Sequence, residues 1–168
     1  MLIIERLAEL IDAVNERVGL WVSWVSLGLV VVVFLDVVMR YVFNNSFVFV
    51  QELEWHMFGF LFLFGAGYTL LHDQHVRVDL FYQKYRPKTK AWVNLLGVVF
   101  FLLPGCLLII HVSLPWVMTA YNIGEVSPDP GGVPARFIIK GCVPAGFFLL
   151  MLQGLSLGIN SLKTVLSE

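Results

Sequence analysis

Four long apolar stretches dominate this chain of 168 residues. The longest one without charge lies between Lys90 and Glu125, where 34 consecutive residues include no Lys, Arg, Asp or Glu. A bilayer core about 30 Å thick is crossed by roughly 20 apolar residues in a helix. The pattern therefore predicts four membrane spans, which we place at about 18–41, 47–71, 91–121 and 137–162.

The continuous apolar character of these stretches favours helices over barrel strands. Because backbone groups in lipid must pair internally, a span is either a helix or part of a closed barrel. Barrel strands would alternate in polarity over about ten residues, and these stretches do not alternate. We predict an all-α membrane protein with four tilted transmembrane helices, in which residues 1–168 form a single domain.

Residues 1–17 have a different pattern, in which charged residues alternate with apolar ones at helical spacing. The apolar positions include Ile3, Leu7, Leu10 and Ile11. This pattern predicts an N-terminal amphipathic helix that lies on the membrane surface before the first span. The alternative is a frayed cap of the first span. A cleaved signal peptide is not indicated, since such a segment has a basic start and a short apolar core.

Prolines mark the ends and bends of the later spans. Pro87, in the basic connection before the third span, is predicted to stop any helix there. The third stretch is longer than an upright span needs, and Pro104 and Pro115 within it allow bends. We therefore expect the third helix to be tilted and kinked.

Composition excludes several classes of function. The chain is 58% hydrophobic and 14% charged, whereas about 25% of the residues of a soluble domain are charged. Its net charge of −1 gives no indication of nucleic-acid binding. Too little chain remains outside the spans for a globular catalytic domain, so we expect no enzyme activity, no catalytic residues and no cofactor or metal. Cys106 and Cys142 form no C-x-x-C pair, which disfavours a redox motif, a zinc cluster or a thiol oxidase.

The distribution of basic residues predicts the orientation. Four spans place both termini and the middle connection on one side, and that side carries eight of the eleven Lys and Arg residues. Since Lys and Arg are in excess in cytoplasmic loops, both termini are predicted to be cytoplasmic. The basic cluster in the middle connection can also rest against anionic membrane lipid.

Ionisable residues near the predicted outer interface need partners, because charge is costly within a membrane. Asp36 and Arg40 are spaced i,i+4 on the first span, and Glu52 and His56 share a face at the start of the second. We predict a structural ion-pair cluster of these four residues that holds the first two helices together. A proton or ion site is the alternative, which is disfavoured because transporter sites lie near the bilayer midplane.

Two histidines leave a second class of function open. His56 and His111 are predicted at similar depth on neighbouring helices, where two imidazoles can hold a haem iron from both sides. The alternative function is thus a redox membrane anchor or b-type cytochrome. Hydrogen-bonded packing histidines are the simpler interpretation.

Several short motifs occur in a characteristic order relative to the four spans. They are Asp36 and Arg40, Val50-Gln51-Glu52-Leu53, Gly65-Ala66-Gly67, His75-Val76-Arg77-Val78-Asp79, Glu125-Val126-Ser127, Gly132-Val133-Pro134-Ala135-Arg136, Pro144-Ala145-Gly146-Phe147 and Leu152-Gln153. This combination resembles the small membrane subunit of tripartite ATP-independent periplasmic (TRAP) transporters, the DctQ family. Many members have a tryptophan before the acidic residue of the second span, where this chain has Val50.

The resemblance implies partners and a location. It implies a non-catalytic scaffold, in the inner membrane of a bacterium, for a large elevator-type permease subunit. A periplasmic binding protein would deliver organic acids, carboxylates or sulfonates, for sodium-coupled uptake.

The resemblance also leaves two groups of polar residues with alternative roles. His75, Arg77 and Asp79 either cap and anchor the second span or contact the large subunit. Glu125, Asp129 and Arg136 either contact the binding protein or are solvated loop charges.

Overall fold

A computed structural model describes residues 2–74, 82 and 84–166 of the chain. These residues include four long helices and no strand, so the all-α prediction is confirmed. The helices are α1 (Leu2–Tyr41), α2 (Val48–Leu71), α3 (Pro87–Asn122) and α4 (Phe137–Leu166).

The first helix is longer than predicted. α1 runs through 40 residues without a break, a length of about 60 Å. The separate interfacial helix predicted for residues 1–17 is not confirmed, because residues 2–17 are the first part of α1. Neither a proline nor a turn sequence interrupts the helical pattern between Glu16 and Val22, and the single Gly19 is tolerated within a helix.

Three of the helices are long and apolar enough to cross a membrane, judged by length and composition. They are Ile4–Tyr41, Pro87–Asn122 and Phe137–Leu166. α2 has 24 residues but is not among these three helices. Polar and charged residues in its first turns, Glu52 and Glu54 among them, lower its hydropathy. The predicted count of four spans is therefore not confirmed.

The third helix differs from prediction at its prolines. Pro87 does not stop a helix; it opens α3 at the first helical turn, where a missing N–H is tolerated and the fixed φ suits the helix. Further along, Val98–Leu102 form a π-helical turn just before Pro104. The ring of Pro104 excludes the ordinary bond to residue 100, and the wider turn accommodates this loss within a continuous helix.

α4 is the helix on which the others assemble. It packs against α1, α2 and α3, whereas α3 packs chiefly on α4, and α1 and α2 also pack on each other. Glycines of α4 permit this close approach. Gly146 lies against Leu63 of α2, and Gly154 lies against Leu102 in the π-helical turn of α3. Small residues at such contacts are typical of helices that associate in membranes.

The interior and exterior of the protein are reversed relative to a soluble domain. Buried apolar side chains are mostly small, such as Ala8 and Ala120, and buried polar ones include Asn15 and Ser156. Large apolar side chains face outward, and Phe101 is 79% exposed. Such an extensive apolar exterior requires a lipid or protein partner, in agreement with a membrane location.

Substitution of Gly146 by Ala is expected to destabilise the protein. A Cβ at this position would lie 2.8 Å from both the Cβ and the carbonyl oxygen of Leu63, so α2 and α4 must separate. Overpacking of this kind costs about 1–3 kcal/mol. The measurement is the thermal unfolding midpoint in detergent. Gly105→Ala is the matched control because nothing lies within 4 Å of the added Cβ there; equal midpoints for the two variants would contradict the packing described.

Candidate functional site at the loop end of the helices

The charged side chains of the helices gather at two ends. We call the end that carries the α1–α2 connection (residues 42–47) and the α3–α4 loop (residues 123–136) the loop end. The opposite end, which carries the two chain termini, is the terminal end. Residues 18–35 of α1 and 141–152 of α4 separate the two ends and contain no Lys, Arg, Asp or Glu.

At the loop end, the predicted four-residue cluster is divided into two groups. Arg40 donates to Asp36 across one helical turn of α1, and Asp36 is only 5% exposed. The prediction that Glu52 joins Asp36 and Arg40 is corrected, because the Glu52 carboxylate accepts its hydrogen bonds from the α3–α4 loop.

Glu52 anchors the α3–α4 loop instead. This carboxylate is 6% exposed and accepts two hydrogen bonds of 2.5 Å, from the Ser127 hydroxyl and from the Val133 backbone N–H. Gly132 allows the approach, since a Cβ there would lie 2.5 Å from Glu52 Oε2. The Ser127 N–H also donates to the Val133 carbonyl at 3.3 Å. One buried charge on α2 therefore holds a loop that lies 75 and more residues away in sequence.

Two basic residues at the start of α4 lie over tryptophans. The Arg136 guanidinium is 5.6 Å from the centre of the Trp55 ring, and Lys140 Nζ is 4.4 Å from that of Trp116. Lys140 also forms an ion pair with Glu125. Arg136 has no carboxylate within salt-bridge distance among the residues described. Of the three predicted contact residues, Asp129 is exposed, whereas Glu125 and Arg136 are half-buried.

A pocket of about 450 Å³ lies between these two cation–tryptophan pairs. Trp55, Trp116 and Arg136 line it near the loop end, and Leu63 and Val143 line it further along α2 and α4. Volumes of this size are usual for pockets that bind small molecules.

The two histidines considered for haem do not face one another. His56 lies half-buried between α1, α2 and α4, with its Nδ1 2.6 Å from the Glu52 carbonyl oxygen. His111 is exposed on α3, which packs chiefly on α4 and not on α1. This arrangement offers no pair of axial ligands. In addition, the described residues contain no group of three or more His, Cys, Asp or Glu side chains that could hold a metal ion.

A second polar cluster, which the sequence analysis missed, joins three helices at the terminal end. Asp12 of α1 accepts hydrogen bonds from Gln153 (2.8 Å) and Ser156 (2.6 Å) of α4. Glu16 lies 2.8 Å from the ring of His72, just after α2. The sequence does contain an indication of this cluster. Gln153 and Ser156 lie within an apolar helix, and polar groups in a span must find a partner.

The predicted contact residues His75, Arg77 and Asp79 lie outside the residues that the structure describes. The hydrogen bonds of Glu52 and the two cation–tryptophan pairs were not predicted from the sequence, for one common reason. Each of these contacts joins residues that are far apart in sequence, and helical spacing carries information on near neighbours alone.

Long helices with a small, polar interior and a wide apolar exterior define an integral membrane protein. Residues 29–164 match the family described as tripartite ATP-independent periplasmic transporters, DctQ component. The chain is also 31% identical over 119 residues to a protein of Haemophilus influenzae (strain ATCC 51907 / DSM 11121 / KW20 / Rd) whose name describes a TRAP transporter small permease, and the match covers 71% of each chain. The chain therefore belongs to the DctQ family of TRAP transporter small permease subunits, which confirms the resemblance. No solved structure matches it.

Replacement of Glu52 by Ala is expected to release the α3–α4 loop from α2. The Ser127 hydroxyl and the Val133 N–H would both lose their acceptor, and a buried group left unpaired costs about 1–3 kcal/mol. The backbone amide of Val133 should then exchange its hydrogen about tenfold faster or more. Hydrogen–deuterium exchange of residues 123–136, followed by mass spectrometry, measures this effect.

Ser127→Ala provides a graded comparison, because it removes one of the two bonds and leaves the other. Its effect on loop exchange should be smaller than that of Glu52→Ala. The anchoring role assigned to Glu52 is incorrect if loop exchange is the same in wild type and Glu52→Ala.

Proposed function

We propose that this subunit is a stationary scaffold that transports nothing by itself. In this proposal it has no catalytic activity and holds a large elevator-type permease subunit in the bacterial inner membrane. That permease subunit carries out the sodium-coupled uptake of organic acids, carboxylates or sulfonates, which a periplasmic binding protein delivers. Membership of the DctQ family supports an assembly with other TRAP components.

The observation that carries the scaffold role is the uncharged band between the two ends. Beyond Glu54, α2 has no further charged residue, and residues 91–122 of α3 have none. A carrier needs polar or charged groups near the membrane midplane, commonly on interrupted helices. The helices described here are continuous through this band, and their ion pairs lie at the ends.

α2 acts as the fourth membrane span in this proposal. It packs against both α1 and α4, each of which is apolar enough to cross a membrane, and its 24 residues span about 36 Å. The acidic residues that lower its hydropathy are at its loop end. The excess of basic residues on the side of the two termini and the middle connection supports a cytoplasmic terminal end, with the loop end in the periplasm.

The α3–α4 loop is the proposed docking surface for the binding protein. Glu52 holds the loop in one conformation, so little conformational entropy is lost on docking. Asp129 is the predicted contact that remains exposed at the loop tip. His75, Arg77 and Asp79 remain proposed contacts with the large subunit.

Reconstitution in liposomes tests the scaffold role. The chain by itself should accumulate no organic acid, even with a sodium gradient and the binding protein present. Addition of the large permease subunit should produce sodium-dependent uptake. Uptake by this chain alone would contradict the proposal, as would full uptake by the large subunit and binding protein in the absence of this chain.

Charge reversal at Asp129 tests the docking surface. Asp129→Lys should weaken binding of the periplasmic protein to the assembled transporter by about twofold to fivefold, since exposed charge pairs contribute up to about 1 kcal/mol. Surface plasmon resonance at low salt measures the affinity. Glu9→Lys, an exposed reversal on α1 at the terminal end, is the matched control. If both variants bind equally well, the loop is not the docking surface.

A further inference from the structure

We propose that the pocket between α2, α3 and α4 binds one phospholipid, with the phosphate on Arg136 and an acyl chain in the pocket. The inference rests on the proposed placement of the loop end at a membrane surface. It is independent of the proposed scaffold role and of the partners.

The Arg136 side chain provides the site for the phosphate. A guanidinium has five N–H donors, and none of them donates to a protein acceptor among the residues described. The Glu52 carboxylate takes its hydrogen bonds from Ser127 and Val133 and not from Arg136. The guanidinium carbon lies 5.6 Å from the centre of the Trp55 ring, and its N–H donors remain available to an acceptor outside the protein. Phosphate oxygens match that planar geometry.

The neighbouring Lys140 makes Arg136 the more available cation. Lys140 is paired with Glu125 and lies over Trp116, so its charge is already compensated. Lys140 and Glu125 line the pocket as well, but their charges offset each other. Arg136, which directly precedes α4, is therefore the uncompensated cation that a negatively charged ligand would meet in the pocket.

The shape of the pocket suits an acyl chain beneath that phosphate. Its lining changes from Trp55 and Arg136 at the loop end to Leu63 and Val143 along the helices. Leu63 lies eight positions after Trp55 on α2, a distance of about 12 Å along the helix axis. Tryptophan and arginine are typical of the headgroup level, and aliphatic residues are typical of the hydrocarbon. The polarity of the pocket thus follows that of a lipid molecule in its normal orientation.

Native mass spectrometry of the full chain in detergent tests the site. The probes are dioleoyl phosphatidylglycerol and dioleoylglycerol, which have the same chains with and without a phosphate. Wild type should bind one phosphatidylglycerol more tightly than dioleoylglycerol by about tenfold. Arg136→Gln should remove this preference, and Arg136→Lys should keep part of it.

A second variant tests the acyl chain independently of the charge. Gly59 lines the pocket, and a Cβ there makes an ordinary contact of 3.5 Å with Ile139, so Gly59→Leu is expected to extend a side chain into the pocket. It should bind neither probe, while Lys88→Gln at the terminal end and Gly105→Leu on the open face of α3 should bind as wild type does. Thermal unfolding midpoints establish that each variant is folded.

Three results with the isolated chain would overturn the inference. They are an equal affinity of wild type for the two probes, an unchanged phosphate preference in Arg136→Gln, and unchanged binding in Gly59→Leu. The same measurement on the assembly with the large permease subunit distinguishes a lipid from a protein occupant. A phosphatidylglycerol adduct that persists in the assembly supports the lipid; its loss on assembly would assign the pocket to the large subunit.

Discussion

The close approach of α4 to its three neighbours is the constraint on which the rest of the structure depends. In lipid, apolar surface gains little by leaving its surroundings, so helices associate through tight packing and polar contacts. Gly146 and Gly154 bring α2 and α3 within side-chain contact of α4. The long apolar side chains, by contrast, face outward. Small residues thus determine which helices pack together, and the large apolar residues on the outside determine that the surroundings are lipid.

Polar contacts at the two ends follow from this packing. Once α1 and α4 lie antiparallel, Glu5 meets Lys163 and Asp12 meets Ser156 at the terminal end. At the loop end the same alignment brings the start of α4 beside the start of α2, where Glu52 receives the α3–α4 loop. The charges are therefore kept out of the central band, in agreement with the proposed scaffold role.

The loop end combines two surfaces with different chemistry. The α3–α4 loop, held by Glu52, presents the exposed Asp129 beyond the helices, whereas the pocket beside Trp55 and Arg136 opens among the helices themselves. Family membership is established by the match over residues 29–164, and it places this chain in a multi-component transporter. A subunit that both fixes a loop and seats a lipid would be well suited to hold its position in the bilayer.

Hydropathy and short-range spacing were sufficient for the helical class and the approximate helix positions, because these properties depend on composition and on neighbours three or four residues apart. The family was identified from the resemblance of short motifs, in their order relative to the spans. The continuity of α1, the start of α3 at Pro87 and the π-helical turn before Pro104 were not predicted. The partners of Glu52 were not predicted either, since Ser127 and Val133 are distant in the chain and reach Glu52 through the packing of α2 against α4. Helical spacing specifies which side chains share a face, but the rotation of each helix against the others decides which faces meet.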